Sequence, residues 1–424
     1  MPILIQTIRT LKDYWFVVVQ TCLFTFLSFA PFANTQALAE ETGVSNTTIR
    51  VGSVLDLVSD SSELGIGMKA GIEAALKGEK IQGRAIEYVA VNDSYAPEIT
   101  IKETKRLMDL GIFAFLGNVG TPQAKAVLPL LASNKVPAVG FYTGSELLRP
   151  GIGDIVNFRA SYFQEVTSVI EAALAAGMKP QQICAYVQND DFGMTGVLSI
   201  KNILQKNPDT SEIVKKFEQI ATIPGEEPAR NDIGPVGVYL RNTLAGREGY
   251  NSLKNWEKKS GTPCRLVVTV GTPLPIANFI GYSRYKGENW IFSMVSATTT
   301  YNFREALRAQ KMNSGLVATS VVPPLDSALP IVEEARKNLQ DQLNNASLEG
   351  FIVGKMFLAI MRNIKGEITH SNFLKAFKGQ TFDIGGLKLD FSNDNQGSDF
   401  IQITSFNGEE FKPVSSQQFA TVFK

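Results

Sequence analysis

Few residues in this chain could do acid–base or metal chemistry near neutral pH. There is one histidine, His370, and there are three cysteines, Cys22, Cys184 and Cys264, all far apart. A protein-built zinc or iron site needs several nitrogen or sulfur ligands close in sequence. A nucleophilic triad would have to use His370, which stands in "GEITHSNFLKAF" between two helical patterns, a place that suits a surface or helix-start histidine. No metal, no cofactor and no enzymatic activity are expected.

The remaining polar groups that could meet a ligand stand where apolar runs end. In "LGNVGTPQAKAVLPLL" a strand pattern stops at Leu116-Gly117, and Thr121-Pro122 opens a helix. Free N–H groups at such a start, with the Thr121 hydroxyl, suit a carboxylate, although Thr-Pro also opens ordinary helices. "VPAVGFYTGSELLRPG" ends its apolar run at Phe141, Tyr142 and Thr143, followed by Gly144, Ser145 and Glu146. "VQNDDFGMTG" places Asp190 and Asp191 before Phe192, where either acid could also cap the next helix. Ligands of open α/β sheets lie beyond the strands' carboxyl ends, so these segments suggest a shared cleft. Gly65, Gly67 and Gly71 are spaced GxGxxxG and lie eight residues beyond their strand. That is not the dinucleotide fingerprint; small residues for close packing of the helix on the sheet explain them better.

The elements that must carry these groups alternate. From Thr48 the pattern is strand, helix, strand, helix, and it restarts near "IVNFRA" (155–160), giving two βα halves and parallel sheets covered by helices. Residues 212–261 are irregular, with "VGVYLRNTL" closer to helical spacing, and "GLVATSVVPPL" is a strand of uncertain partner. The end of the chain reads as strands joined by Asn/Asp/Gly turns.

Of the 424 residues 44% are hydrophobic, which excludes a wholly disordered chain. Residues 1–39 read as a cleaved signal peptide: Arg9 and Lys12, an uncharged run from Trp15 to Ala33, then Ala37-Leu38-Ala39. Without them the balance is 39 basic to 40 acidic residues, so nucleic acid is not an expected partner. The mature chain is expected to be exported to an oxidising compartment, where it keeps Cys184 and Cys264. If "ICAYV" and "CRLVVTV" are adjacent strands a disulfide is geometrically conceivable, but buried free thiols are expected, because neighbouring strand residues seldom meet disulfide torsions.

Together "IRVGSVLDL", "VNDSYAPEITIKETKRLMDLGIFAFLG", "VPAVGFYTGSELLRP", "VNFRASYFQE", "AYVQNDDFGMTG" and "VVTVGTPLPIANFIGYSR" resemble the periplasmic solute-binding proteins of ABC transporters. The resemblance is to the type I, leucine/isoleucine/valine-binding group, and it runs in order from about Thr48 onward. It implies an α/β fold of two Rossmann-like lobes with parallel central sheets and a three-crossing hinge. Lobe 1 would be 44–157 plus 300–385, and lobe 2 would be 158–299 plus 386–424. It implies a periplasmic monomer that traps a small solute, an amino acid or related carboxylate or amide, and docks on a membrane permease. A sensor signalling to a membrane receptor is the alternative.

By the same resemblance Thr121 holds the ligand's carboxylate. Phe141, Tyr142 and Thr143 meet its amino group, and Phe192 closes over it. Where amino-acid binders carry an acid for the ammonium, this chain has Thr272, Pro273, Leu274 and Pro275. Asp190, Asp191 or Glu146 would have to substitute, or the ligand is not an α-amino acid. Ser59, Ser61 and Ser62 are further hydrogen-bonding candidates.

Overall fold

A computed structural model describes residues 41–59, 61–226 and 229–422. The expected signal peptide at 1–39 lies outside them. The first run of elements is β1 (Thr48–Leu55), α1 (Ser62–Leu76), β2 (Lys80–Ile81), β3 (Arg84–Asn92), α2 (Pro97–Asp109), β4 (Ala114–Leu116), α3 (Thr121–Asn134), β5 (Ala138–Val139) and β6 (Ile155–Val156). They build a six-stranded sheet, ordered β2-β3-β1-β4-β5-β6 and parallel except at the β2 edge. β1 lies at its middle, with Val51 opposite both Tyr88 and Ala114. Its apolar run is buried almost throughout, as a strand covered on both faces requires.

The second run begins with α4 (Tyr162–Ala175), β7 (Ile183–Gln188), α5 (Asp191–Leu204), α6 (Ser211–Thr222), β8 (Val236–Tyr239) and α7 (Arg247–Ser260). It continues with β9 (Leu266–Val270), α8 (Pro273–Tyr285), β10 (Ile291–Met294), α9 (Tyr301–Ala309) and β11 (Leu316–Ser320). Helices α10 (Pro330–Leu339), α11 (Asn345–Asn363) and α12 (His370–Phe377) follow, and α11 packs along α1 of the first run. A hairpin of β12 (Thr381–Asp383) and β13 (Lys388–Asp390) then leads to β14 (Gln402–Phe406), β15 (Phe411–Pro413) and α13 (Ser416–Val422). The second sheet is ordered β15-β14-β11-β10-β9-β7-β8, with β14 and β15 antiparallel at one edge.

The chain therefore passes between the two sheets three times, through 157–161, 321–329 and 391–401. The first and third crossings run side by side: Asn157 N–H donates to Asn395 O, and Gly397 N–H donates to Asn157 O. The glycines of α1 pack against α11 rather than only the sheet. A Cβ on Gly71 would stand 2.0 Å from Ser347 O, so only glycine permits this approach.

Three expectations change. β11, expected in lobe 1 with 300–385, pairs in parallel with β10, Phe292 opposite Leu316, and so belongs to the second sheet. "VGVY" is a strand, because Val236, Val238 and Tyr239 are buried on β7, where β-branched and aromatic side chains fit a pleated surface. Cys184 and Cys264 are bonded to each other rather than free: Cys264 lies just before β9, beside β7, and their Cα atoms are 5.8 Å apart. His370 stands at the start of α12, its Nε2 2.8 Å from Phe113 O.

Candidate functional site

On the first sheet the ends of β4 and β5 bring two hydroxyls together. Gly120 takes φ 103°, and α3 starts at Thr121 with Pro122 next, as a proline-opened helix should. Thr121 Oγ1 lies 2.6 Å from Thr143 Oγ1, and both residues are buried. Beside them Asn118 accepts from Val54 N–H through Oδ1, while its Nδ2 has no protein partner. Gln123, in the first turn of α3, is 1% exposed and has no partner at either amide atom.

Tyr95 reaches this region from a strained loop. Ser94 and Tyr95 both adopt left-handed φ, 54° and 56°, a costly pair for residues with a Cβ. Asp93 holds the loop, accepting from Tyr95 N–H at 2.9 Å and from Thr100 Oγ1 at 2.8 Å. Burial, partly offset by these bonds, raises the Asp93 carboxyl to about 6.

The second sheet contributes an aromatic and a carboxylate. Asp190 caps α5, accepting from Phe192 N–H at 3.0 Å and from Gln188 Nε2 at 2.6 Å. Burial pushes its carboxyl up to about 6, against the pull of Gln188 and of Arg241. Phe192 packs on Tyr162 with ring centroids 5.1 Å apart. Gln188 Nε2 also lies 3.5 Å from Tyr95 OH, which joins the two halves. Thr272, where an acid would serve an ammonium, instead donates its N–H to Tyr239 OH at 2.8 Å.

Where the halves meet nearest the crossings, a charged cluster is sealed from water. Arg159 of the first crossing lies 3.6 Å from Glu165 of α4 and 3.6 Å from Glu349 of α11, all three at most 3% exposed. Its guanidinium sits over the Tyr142 ring at 4.7 Å and donates through Nη2 to Ser296. Glu165 accepts from Ser296 N–H at 2.7 Å and from Thr319 Oγ1. Glu349 Oε1 accepts no hydrogen bond. Burial raises Glu349 to about 7, although Arg159 opposes this. Burial alone would lower Arg159, but Glu349, Tyr162 and Glu165 outweigh it and hold it above its usual value.

Of the residues singled out by sequence, Thr121, Tyr142, Thr143, Asp190 and Phe192 stand buried where the halves face each other. Phe141 does not: its ring joins the core with Val54, Leu107 and Leu148, because successive strand residues point to opposite faces. Asp191 sits at the rim, paired across the halves with Lys125 at 2.8 Å. A groove of about 710 Å³ opens there, lined by Lys125, Ser145, Glu146, Asp190, Asp191 and Leu198 among others. Ser59 hydrogen-bonds Asp56 at the end of β1, and Ser61 precedes α1. The sequence reading missed Tyr95, Asn118, Gln123, Gln188 and the Arg159 cluster. All but Glu349 lie inside the quoted segments, yet nothing in their local sequence singles them out. Among the described residues, no helix is long and apolar enough to cross a membrane, and no group of three or more His, Cys, Asp or Glu could hold a metal.

Two sheets, three crossings and polar strand ends turned toward each other give the fold of type I periplasmic binding proteins. Residues 48–216 match the sequence model of the periplasmic binding protein family. A possible leucine/isoleucine/valine-binding protein from Rhodopirellula baltica SH 1 is 29% identical over 89% of this chain and 99% of its own, with TM-score 0.76. The likeness of the matched segment and of the fold is to leucine/isoleucine/valine-binding-like periplasmic binding proteins. Two more distant structures share the fold. One is a branched chain amino acid ABC transporter protein from Thermus thermophilus with bound valine (16% identity, 90% and 99% coverage, TM-score 0.68). The other is a solute binding protein of an ABC transporter from Rhodopseudomonas palustris HaA2 in complex with p-hydroxybenzoic acid (17%, 86% and 95%, 0.66). No curated protein matches.

Proposed function

We propose that this chain is the extracytoplasmic substrate-binding component of an ABC transporter. It takes up a small polar solute, an amino acid or a related carboxylate or amide, between its two lobes and delivers it to a membrane permease without chemical turnover. The observation that carries this reading is the Thr121–Thr143 hydroxyl pair at the start of α3, facing the second half's Phe192. The N–H groups opening α3 and these hydroxyls suit an oxygen-rich group on the solute. The unpartnered amides of Asn118 and Gln123 can donate and accept beside it. These groups are buried by the opposing half, so a solute enters only when the halves part, and it then stabilises the closed form.

Asp190 is the one acid buried here on the second half, and α5 and Gln188 already occupy its oxygens. That favours a solute whose anchor is a carboxylate or carboxamide over one that depends on an ammonium. The test is thermal melting of the purified protein with a panel of amino acids, carboxylates and amides. At least one class should raise Tm in proportion to log concentration, and Thr121→Ala should weaken that shift without unfolding the protein. A flat response across the panel would refute the reading.

A further inference from the structure

The Arg159–Glu165–Glu349 cluster does more than pack. Its members come from three places: Arg159 from the first crossing, Glu165 from α4 beside the second sheet, and Glu349 from α11, which lies on α1 beside the first sheet. Opening the halves separates them and returns water to the glutamates. One cation faces two carboxylates, and the hydrogen bonds are shared unequally. Glu165 is satisfied by Ser296 and Thr319, whereas Glu349 has Oε1 unpartnered and only an ion-pair distance to Arg159. A buried carboxylate left with less than full pairing holds a proton at modest cost.

Two neighbouring cavities border residues that hold the cluster. One of about 300 Å³ and one of about 20 Å³ share Thr299, Arg304, Leu325 and Asn345. Thr319 lines the first, and Ser296 and Tyr142 line the second. The other groups acting on Glu349 are Glu165, Tyr142 and Arg149, while Tyr162 of α4 faces Arg159 and Glu165. Several charged residues on the helices packed against α11 have partners of their own. On α1, Glu63 accepts from α9 and Lys69 pairs with Glu73; Glu334 of α10 pairs with Lys355; His370 of α12 pairs with Glu41.

We propose that Glu349 takes up a proton as the halves close and releases it as they open, so that the cluster is a proton-linked clasp. This regulates the solute site described above and rests on that reading of two moving halves. Glu349 has an ordinary value of 4.5 when hydrated and about 7 when enclosed. The closed form therefore keeps a proton over a range where the open form has lost it. Raising pH through that range weakens closure, and the effect levels off above the enclosed value. The ratio of closed to open forms falls about tenfold between pH 6 and pH 8.

The amides of Tyr301 and Asn302 report on closure without any ligand. They open α9, have no partner within their helix, and donate across the halves to Glu63 at 2.5 and 3.0 Å. Hydrogen exchange at these two amides, corrected for intrinsic rates, should lose about tenfold protection from pH 6 to pH 8 in the native protein. Most of that slope should disappear in Glu349→Gln, the small remainder coming from Asp190 and Asp93, whose carboxyls burial raises to about 6. A native-like slope in Glu349→Gln, or no slope in the native protein, overturns the proposal. If the variant does not fold, a carbon-13 titration of the native Glu349 carboxyl decides: a midpoint near 7 supports the clasp and one near 4.5 removes it. The failures are separable, because a flat exchange profile leaves solute capture standing. A solute panel without effect would refute capture whatever the exchange shows.

Discussion

The two halves touch through ion pairs at two places that could hardly differ more. At the rim, Lys125 and Asp191 meet at 2.8 Å with side chains 58% and 34% exposed. Near the crossings, Arg159, Glu165 and Glu349 are sealed at 3% exposure or less. An exposed pair gains little from its Coulomb attraction, because water screens it and two long side chains must be held still. A buried cluster has already lost its hydration, so removing one member strands the others. The rim can open and close cheaply, while the cluster sets how far closure depends on conditions.

The largest expected effect comes from Arg159→Ala, which leaves two buried glutamates without their cation. About 3–5 kcal/mol of stability should be lost, read as a fall in the denaturation midpoint, less at pH 5 than at pH 8 because protonation relieves Glu349. Replacing both Cys184 and Cys264 by alanine is a control away from the interlobe face. It should cost about 2–4 kcal/mol in chemical denaturation but leave solute affinity unchanged. Thr143→Ala should remove about 1 kcal/mol of binding free energy, roughly a fivefold rise in Kd by calorimetry, with the melting temperature of the free protein nearly unmoved. Lys125→Ala should change stability by less than about 1 kcal/mol, and that small change should vanish at high salt. A Lys125→Ala effect as large as that of Arg159→Ala would erase the contrast between rim and cluster.

The alternation of strands and helices was legible because parallel strands covered on both faces read as short apolar runs, and the helices between them keep their own spacing. Thr121, Thr143, Asp190 and Phe192 could be placed because strand ends and helix starts carry local signatures. β11 could not be assigned, since its partners β10 and β14 are chosen by the sheet and not by "LVATS" itself. Phe141 was misplaced because one step along a strand reverses the side chain's direction. Glu349 was invisible for another reason. It lies in an apolar helix far along the chain, and its meaning depends on Arg159, which only the folded crossings bring beside it.

The tight seating of Gly71 on Ser347 has a consequence for how the molecule can be divided. Among the described residues α1 is the first helix made on the ribosome, yet the helix that covers it follows five of the second sheet's seven strands. A fragment ending at residue 157 would keep all six strands of its sheet and leave a bare, shallow helix face. Such a piece should aggregate when expressed alone and become soluble when residues 330–377 are supplied as a separate chain.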